Sequence, residues 1–366
     1  MKILFLVVNI AGGGAEKVLV NLANCLAEKG HEVTVRSLAD EGVNRSFLSS
    51  DIKYEHIFKK AFKGMGLLHK LPHKLIYNKV CHGEFDVIIP YLHGVLTRIV
   101  SYAPQKQKTV AWLHADMEKS PFMTQLLKEN KAEECFRNYN RIIAVSDTVR
   151  NSFLKTVGSD YNVETLYNTF DVRGILAAAK EKCELPAAGL KLVSVGKLED
   201  VKGYERLLEA FAGVIRDGMD CSLTIVGKGP DEAKLRQIID KHGLGGRVRL
   251  AGFDVNPYKY IAAADLFVCS SYTEGFSSVV AESLILGVPV LTTDCSGMAE
   301  MLGANNEYGV IVENSEEGLY EGLRRLLGDE SLLAHYKAKA GERGAFFEPE
   351  ATVGAVERML GEVAGE

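Results

Sequence analysis

Two carboxylates, Glu274 and Glu282, stand eight residues apart, with Gly275, Phe276 and Ser277 between them. The run Ala264–Cys269 before them is apolar and reads as a buried strand that ends at Ser270 and Ser271. After Gly275, apolar residues recur at helical spacing until Gly287, Val288 and Pro289 stop the pattern. The spacing therefore predicts a strand, a loop carrying Glu274, and a helix with Glu282 about two turns in. Gly275 and the N–H groups from Phe276 to Ser278 would form a positive helix end, suited to a phosphate or a sugar hydroxyl. An ordinary turn with a solvated glutamate at each end fits the same residues, so the other strand ends must decide.

One of those ends offers a second phosphate cradle. The strand-like run Leu190–Val195 leads to Gly196 and Lys197, then to Lys202 and Gly203, and a helix begins at Tyr204. Backbone N–H groups and the helix dipole would meet one side of a diphosphate, while Lys197 and Lys202 neutralise its charge. The spacing is not that of a P-loop. Near the N-terminus, Gly12, Gly13 and Gly14 open another helix directly after a strand. That loop lacks the dinucleotide spacing, yet its glycines would let backbone approach a ligand; a bare tight turn is the alternative. Two further strands deliver His93 and His114 to their C-terminal ends, where open α/β sheets bind ligands. His114 is the better candidate for acid/base work or for binding a hydroxyl, with His93 second; each also fits a structural hydrogen-bonding role.

The elements that must position these residues alternate strand and helix from end to end, which predicts parallel sheets. The chain of 366 residues is long for one core, so two doubly wound domains are expected. The stretch from Asn168 to Gly189 has little strand character and reads as the linker. The expected division is 1–168, joined by 349–366 if the last helix crosses back, and 169–348. Apolar residues make up 47% and charged residues 25%, with a net charge of −5, which argues against a general nucleic-acid binder. The seven cysteines are scattered and never spaced as a Cys-x-x-Cys pair, which suits reduced thiols in the cytosol and no zinc site. The apolar start, Ile3–Val8, meets a glycine run and reads as a first strand, not a signal peptide. No run approaches the length of a membrane span.

One segment departs from this composition. Between Ile52 and His82, Glu55 is the one acid among seven lysines, including Lys59, Lys60, Lys63, Lys70 and Lys74, interleaved with Phe58, Phe62, Leu67, Leu71 and Leu75. This basic, apolar stretch would suit the surface of an anionic membrane. A pair of amphipathic helices with solvated lysines is the alternative.

Taken together, the Gly12–Glu16 loop, Val195–Leu198 with Lys202 and Gly203, Val226–Pro230, and the Glu-x7-Glu span Glu274–Glu282 resemble the retaining GT-B glycosyltransferases of family 4. The resemblance covers nearly the whole chain. It implies two Rossmann-like domains facing a cleft, with an acceptor held mostly by the first and a nucleotide-sugar donor by the second. Lys197 and Lys202 would bind the diphosphate, the backbone of Gly252 and Phe253 the base, and Glu282 the ribose. Glu274 and the backbone of Gly275, Phe276 and Ser277 would meet the sugar and distal phosphate, and His114 the transferred sugar. The family's usual arginine after the second-domain glycine is Lys197 here, which keeps the charge but loses the bidentate fork. The implied reaction is a metal-independent, same-face transfer of a hexose or N-acetylhexosamine, most simply from a UDP-sugar, to a lipid-linked or polysaccharide precursor at the cytosolic membrane face. No cofactor beyond that donor is expected. A soluble small-molecule acceptor, a nucleotide-sugar epimerase of the same architecture, and a non-catalytic two-domain sugar-binding protein are the rival readings.

Overall fold

The computed structural model describes residues 1–366 except Gly12, Ala188, Ser296 and Glu366. The chain forms two compact units, Met1–Phe170 with Pro349–Glu366, and Asp171–Glu348.

The first unit is built on β1 (Lys2–Val7), β2 (Glu32–Ala39), β3 (Lys53–Phe58), β4 (Val87–Pro90), β5 (Lys108–Leu113), β6 (Arg141–Ala144) and β7 (Val163–Thr165). All pair in parallel, in the order β3-β2-β1-β4-β5-β6-β7. Apart from Lys2 at its start, β1 is buried along its length, because helices cover both faces of a parallel sheet. The helix Pro349–Ala364 belongs to this unit. It buries Val353, Val356, Met359, Leu360 and Val363, and its Glu357 binds Lys29 at 2.7 Å and His31 at 3.1 Å.

The basic segment is not the pair of amphipathic helices that was one expectation for it. Lys53–Phe58 is a strand, Met65–Lys70 is a 3₁₀ turn, and one helix, His73–Val80, follows. As an edge strand β3 has no fully buried residue, so its sequence lacks the apolar run that marks the inner strands.

The second unit is built on β8 (Leu190–Val195), β9 (Cys221–Val226), β10 (Val248–Gly252), β11 (Leu266–Cys269), β12 (Val290–Thr293) and β13 (Val310–Val312). These are also parallel, in the order β10-β9-β8-β11-β12-β13. The expected linker is partly helical, with Val172–Ala178 capped by Asp171, whose Oδ1 accepts from Gly174 N at 2.8 Å. The helix Tyr204–Arg216 packs its apolar face, including Leu207, Leu208, Phe211 and Val214, into the core. Each such side chain contributes about 1.5–3 kcal/mol on burial.

The strand order reverses between β1 and β4 in the first sheet and between β8 and β11 in the second. These are the points where an open α/β sheet leaves a crevice beyond its strand ends. The glycine loop and His93 follow β1 and β4, and the Gly196–Lys202 and Ser270–Glu274 loops follow β8 and β11.

Candidate active site

In the second unit, the turn after β8 packs backbone against backbone on the turn after β9. Gly196 N donates to Val226 O at 3.0 Å, and Leu198 N donates to Lys228 O at 3.0 Å. A Cβ on Gly227 would lie 1.8 Å from Gly196 O, and one on Gly229 would lie 2.2 Å from Leu198 O. A short 3₁₀ turn, Asp200–Lys202, then brings the chain to Gly203, whose φ of +63° starts the helix Tyr204–Arg216. A Cβ there would lie 2.2 Å from Ser270 O, so glycine is required both by dihedral and by space.

That close approach joins the β8 loop to the β11 loop. Ser270 Oγ donates to Lys202 O at 2.8 Å, and Tyr272 N donates to Val201 O at 2.9 Å. Thr293 Oγ1 donates to Ser271 O at 2.7 Å, and Asn314 Nδ2 donates to Tyr272 O at 3.0 Å. Within this framework Lys202 Nζ lies 2.6 Å from Glu274 Oε1, which also accepts from Ser271 Oγ at 2.6 Å. The side chains are 25% and 12% exposed, respectively. Burial alone would depress the Lys202 ammonium, but the Glu274 carboxylate outweighs it and the net shift is upward. A cavity of about 10 Å³ lies beside the pair, bordered by Ser194, Lys202, Tyr204, Cys269, Ser271 and Glu274. That is room for about one water molecule.

The helix after Glu274 begins at Ser278, so Glu282 sits in its second turn rather than about two full turns in. Ser277 caps it without a side-chain hydrogen bond, and its buried Oγ has no partner among the described residues. The first N–H groups of the helix thus receive no side-chain cap from Ser277, which favours an anion or a hydroxyl there. Gly275 runs beneath Gly297, where a Cβ would lie 2.8 Å from Gly275 O. Phe276 is buried, with its ring edge-on to Phe347. Glu282 is 5% exposed and accepts from Tyr258 Oη at 3.0 Å. At the end of β10, Gly252 O accepts from Gly227 N at 2.9 Å, while Phe253 is 48% exposed. Lys197 is exposed at the end of β8.

In the first unit, Gly13 precedes the helix Gly14–Glu28, and the Glu16 carboxylate folds back over it. Gly12 lies outside the described residues. Asn44 Nδ2 donates to Ala11 O and holds the same loop. His114 N donates to His93 Nδ1 at 3.4 Å, which makes Nδ1 the acceptor and leaves the proton of a neutral His93 on Nε2. Burial pushes His93 down to about 4. Burial, then His93, push His114 down to about 3 against the opposing Tyr91 carbonyl. His114 Nε2 is buried with no partner among the described residues. A neutral imidazole has no proton to spare as a general acid at pH 7, so His114 is suited to hydrogen-bonding a hydroxyl.

Sequence reasoning missed the residues that hold these groups. Arg206, Ser271, Asn314 and Tyr258 carry no motif. Arg206 does stand four and seven residues before Ala210 and Gly213, on the buried face of its helix. Lys59, Lys60, Lys63, Lys70 and Lys74 are all exposed, among Phe62, Leu67, Leu71 and Leu75, which are exposed as well.

Comparison with known proteins bears on the family and the fold. Residues 12–173 match the Glycosyltransferase Family 4 model, and residues 178–343 match Glycosyl transferases group 1. Over 186 residues, half the length of each chain, the protein is 36% identical to N-acetylgalactosamine-N,N'-diacetylbacillosaminyl-diphospho-undecaprenol 4-alpha-N-acetylgalactosaminyltransferase of Campylobacter jejuni. Over 335 residues, 91% of this chain and 89% of the other, it is 25% identical to the lipopolysaccharide core biosynthesis glycosyltransferase LpsE of Rhizobium meliloti. HepE of Anabaena, solved with UDP and glucose, superposes with a TM-score of 0.77 at 21% identity, covering 99% of this chain and all of that one. With consecutive family matches along both units and the two parallel sheets of the GT-B fold, the chain belongs to the family 4 glycosyltransferases.

Proposed function

We propose that the protein transfers a hexose or N-acetylhexosamine from a UDP-sugar to a lipid-linked or polysaccharide precursor, with retention and without a metal, at the cytosolic face of a membrane. The observation that carries this reading is the Lys202–Glu274 pair at the β8/β11 switch point. A nucleotide sugar offers that pair a diphosphate for the ammonium and sugar hydroxyls for the carboxylate. On binding, each charge would exchange its neighbour for the ligand. As the anomeric bond breaks, negative charge builds on the leaving diphosphate. Lys202, Lys197 and the Ser278 helix end would stabilise it, which is the part a metal would otherwise play. Glu274 keeps its hydrogen bond from Ser271 and would turn to the sugar hydroxyls, and Glu282 accepts from Tyr258. Neither is placed as a free nucleophile, which favours deprotonation of the acceptor by the donor's own phosphate oxygen and transfer on the same face.

The acceptor class draws support from the activities of the two relatives, on an undecaprenol-linked diphosphate and in lipopolysaccharide core synthesis. It draws further support from the exposed lysines and apolar side chains between Lys59 and Leu75. None of Lys59, Lys60, Lys63, Lys70 or Lys74 has a carboxylate within 4.0 Å among the described residues. Each such lysine contributes about 1 kcal/mol at an anionic surface.

The test is donor turnover by Lys202→Ala and by Glu274→Ala. Each is expected to lose about a thousandfold in kcat/KM, and a wild-type rate in either would refute the assignment. Thermal shift with UDP-, GDP- and ADP-sugars reads the donor, and activity in EDTA reads the metal. Co-sedimentation with vesicles, with and without anionic lipid, reads the membrane face. Binding that does not depend on anionic lipid would move the acceptor toward a soluble small molecule.

A further inference from the structure

Arg206 is the most deeply placed cation near the Lys202–Glu274 pair, at 6% exposure. Its Nε and Nη2 donate to Ser270 O at 3.1 and 2.6 Å, and its Nη1 donates to Asn314 O at 3.1 Å. The guanidinium carbon lies 3.8 Å from the centre of the Tyr272 ring. Every one of these partners is a carbonyl or an aromatic face. No carboxylate pairs with Arg206 among the described residues, and the ionisable groups that act on it are the Tyr272 phenol and the Cys295 and Cys269 thiols.

A buried cation without an anion is costly, and carbonyl dipoles repay only part of the desolvation. Such a charge is retained where something negative arrives. The two lysines of the site do not account for this role. Lys202 is neutralised by Glu274, and Lys197 is exposed, where water screens it. Arg206 is tied to both halves of the cradle. Its Nε would meet a Cβ on Gly203, the residue after Lys202, at 2.7 Å, and it grips Ser270, the neighbour of the Ser271 that holds Glu274.

We propose that Arg206 is the uncompensated charge of the diphosphate site, acting on the leaving group through the field while its hydrogen bonds fix the Ser270–Glu274 loop. Resting on the donor reading above, this adds a third cation to the two lysines. The field inside a weakly polarisable protein extends farther than that of an exposed lysine.

The test separates charge from scaffolding by the charge of the ligand. Affinities for uridine, UMP and UDP are measured on the wild-type protein, Arg206→Gln and Arg206→Lys, with melting temperatures alongside. Arg206→Gln is expected to lose about tenfold for UDP, progressively less for UMP, and under about twofold for uridine. Arg206→Lys, which keeps the charge and loses the fork, should stay within about threefold of wild type for UDP. An equal loss for all three ligands, or an Arg206→Lys protein as weak as Arg206→Gln, would reduce Arg206 to a scaffold and overturn the proposal. If the wild-type protein binds UDP no better than uridine, the UDP-donor reading falls, and the same series is run with guanosine, GMP and GDP. A diphosphate bound no more tightly than its nucleoside there too overturns both.

Discussion

Beside the switch point of the first sheet the ends of β4 and β5 present His93 and His114 as partly buried, neutral imidazoles, whereas at that of the second the loops after β8 and β11 and the helix Tyr204–Arg216 present Lys202, Glu274 and Arg206 as charges. Both places are partly withdrawn from water, so desolvation acts on each. In the first unit nothing opposes it strongly, and the imidazoles stay unprotonated. In the second, a carboxylate holds the ammonium and carbonyls hold the guanidinium. The difference suits two partners of opposite character: hydroxyl groups, which need neutral donors and acceptors, and a diphosphate, which needs cations. Glu274→Gln strikes this contrast hardest, because it removes the charge that occupies Lys202. Sugar transfer should fall by about a hundredfold or more. Free UDP should bind at least as tightly as to wild type, since the ammonium no longer has a competing anion. Calorimetry with UDP, set beside turnover, checks both; weaker UDP binding would mean that Glu274 holds Lys202 in its working position.

The histidines allow a milder challenge, with a definite sign. In the unfolded chain each imidazole takes up a proton near pH 6.5. In the folded protein His93 does so only near 4 and His114 near 3. Above pH 6.5 both states are neutral at these sites, which then contribute no pH dependence. Between the folded and unfolded values the unfolded chain binds more protons, so stability rises with pH and falls as pH drops from 6.5 toward 4. Each histidine accounts for up to about 2 kcal/mol between pH 7 and 5. His114→Gln is therefore expected to lose less melting temperature over that interval than wild type. If instead the two proteins lose equally, His114 is protonated more readily than its burial implies, and the contrast between the units weakens.

Much of the fold was legible because parallel strands buried on both faces read as short apolar runs, as at Ile3–Val7 and Leu266–Cys269. The strand Lys53–Phe58 was not, since an edge position lets Lys53, Glu55 and His56 interrupt Tyr54, Ile57 and Phe58. The candidate site was legible as separate loops, each with glycines and a charge. What joins Lys202 to Glu274 across 72 residues is the adjacency of β8 and β11, and strand order is decided by crossovers that leave no local mark. Arg206 was hidden for a related reason. Its helix reads as amphipathic from Leu207, Leu208 and Phe211, and a charge on the buried face is informative only once the carbonyls of Ser270 and Asn314 are seen beneath it.

The smallest effect expected within the charged unit concerns Glu282. It is buried and accepts from Tyr258 Oη, whose own ionisation is pushed up by burial and then by the carboxylate. If Glu282 binds the ribose and takes no part in the chemistry, its contact is the same in the ground state and the transition state. Removing the tyrosine hydroxyl would then raise KM for the donor and spare kcat. Tyr258→Phe is accordingly expected to raise donor KM by about three- to tenfold, the size of one ordinary hydrogen bond lost in holding Glu282 in place, with kcat within about twofold. Steady-state kinetics with varied donor reads the two parameters separately. A fall in kcat as large as the fall in kcat/KM would place Glu282 among the groups that act on the breaking bond, and the division of labour between the two glutamates would have to be redrawn.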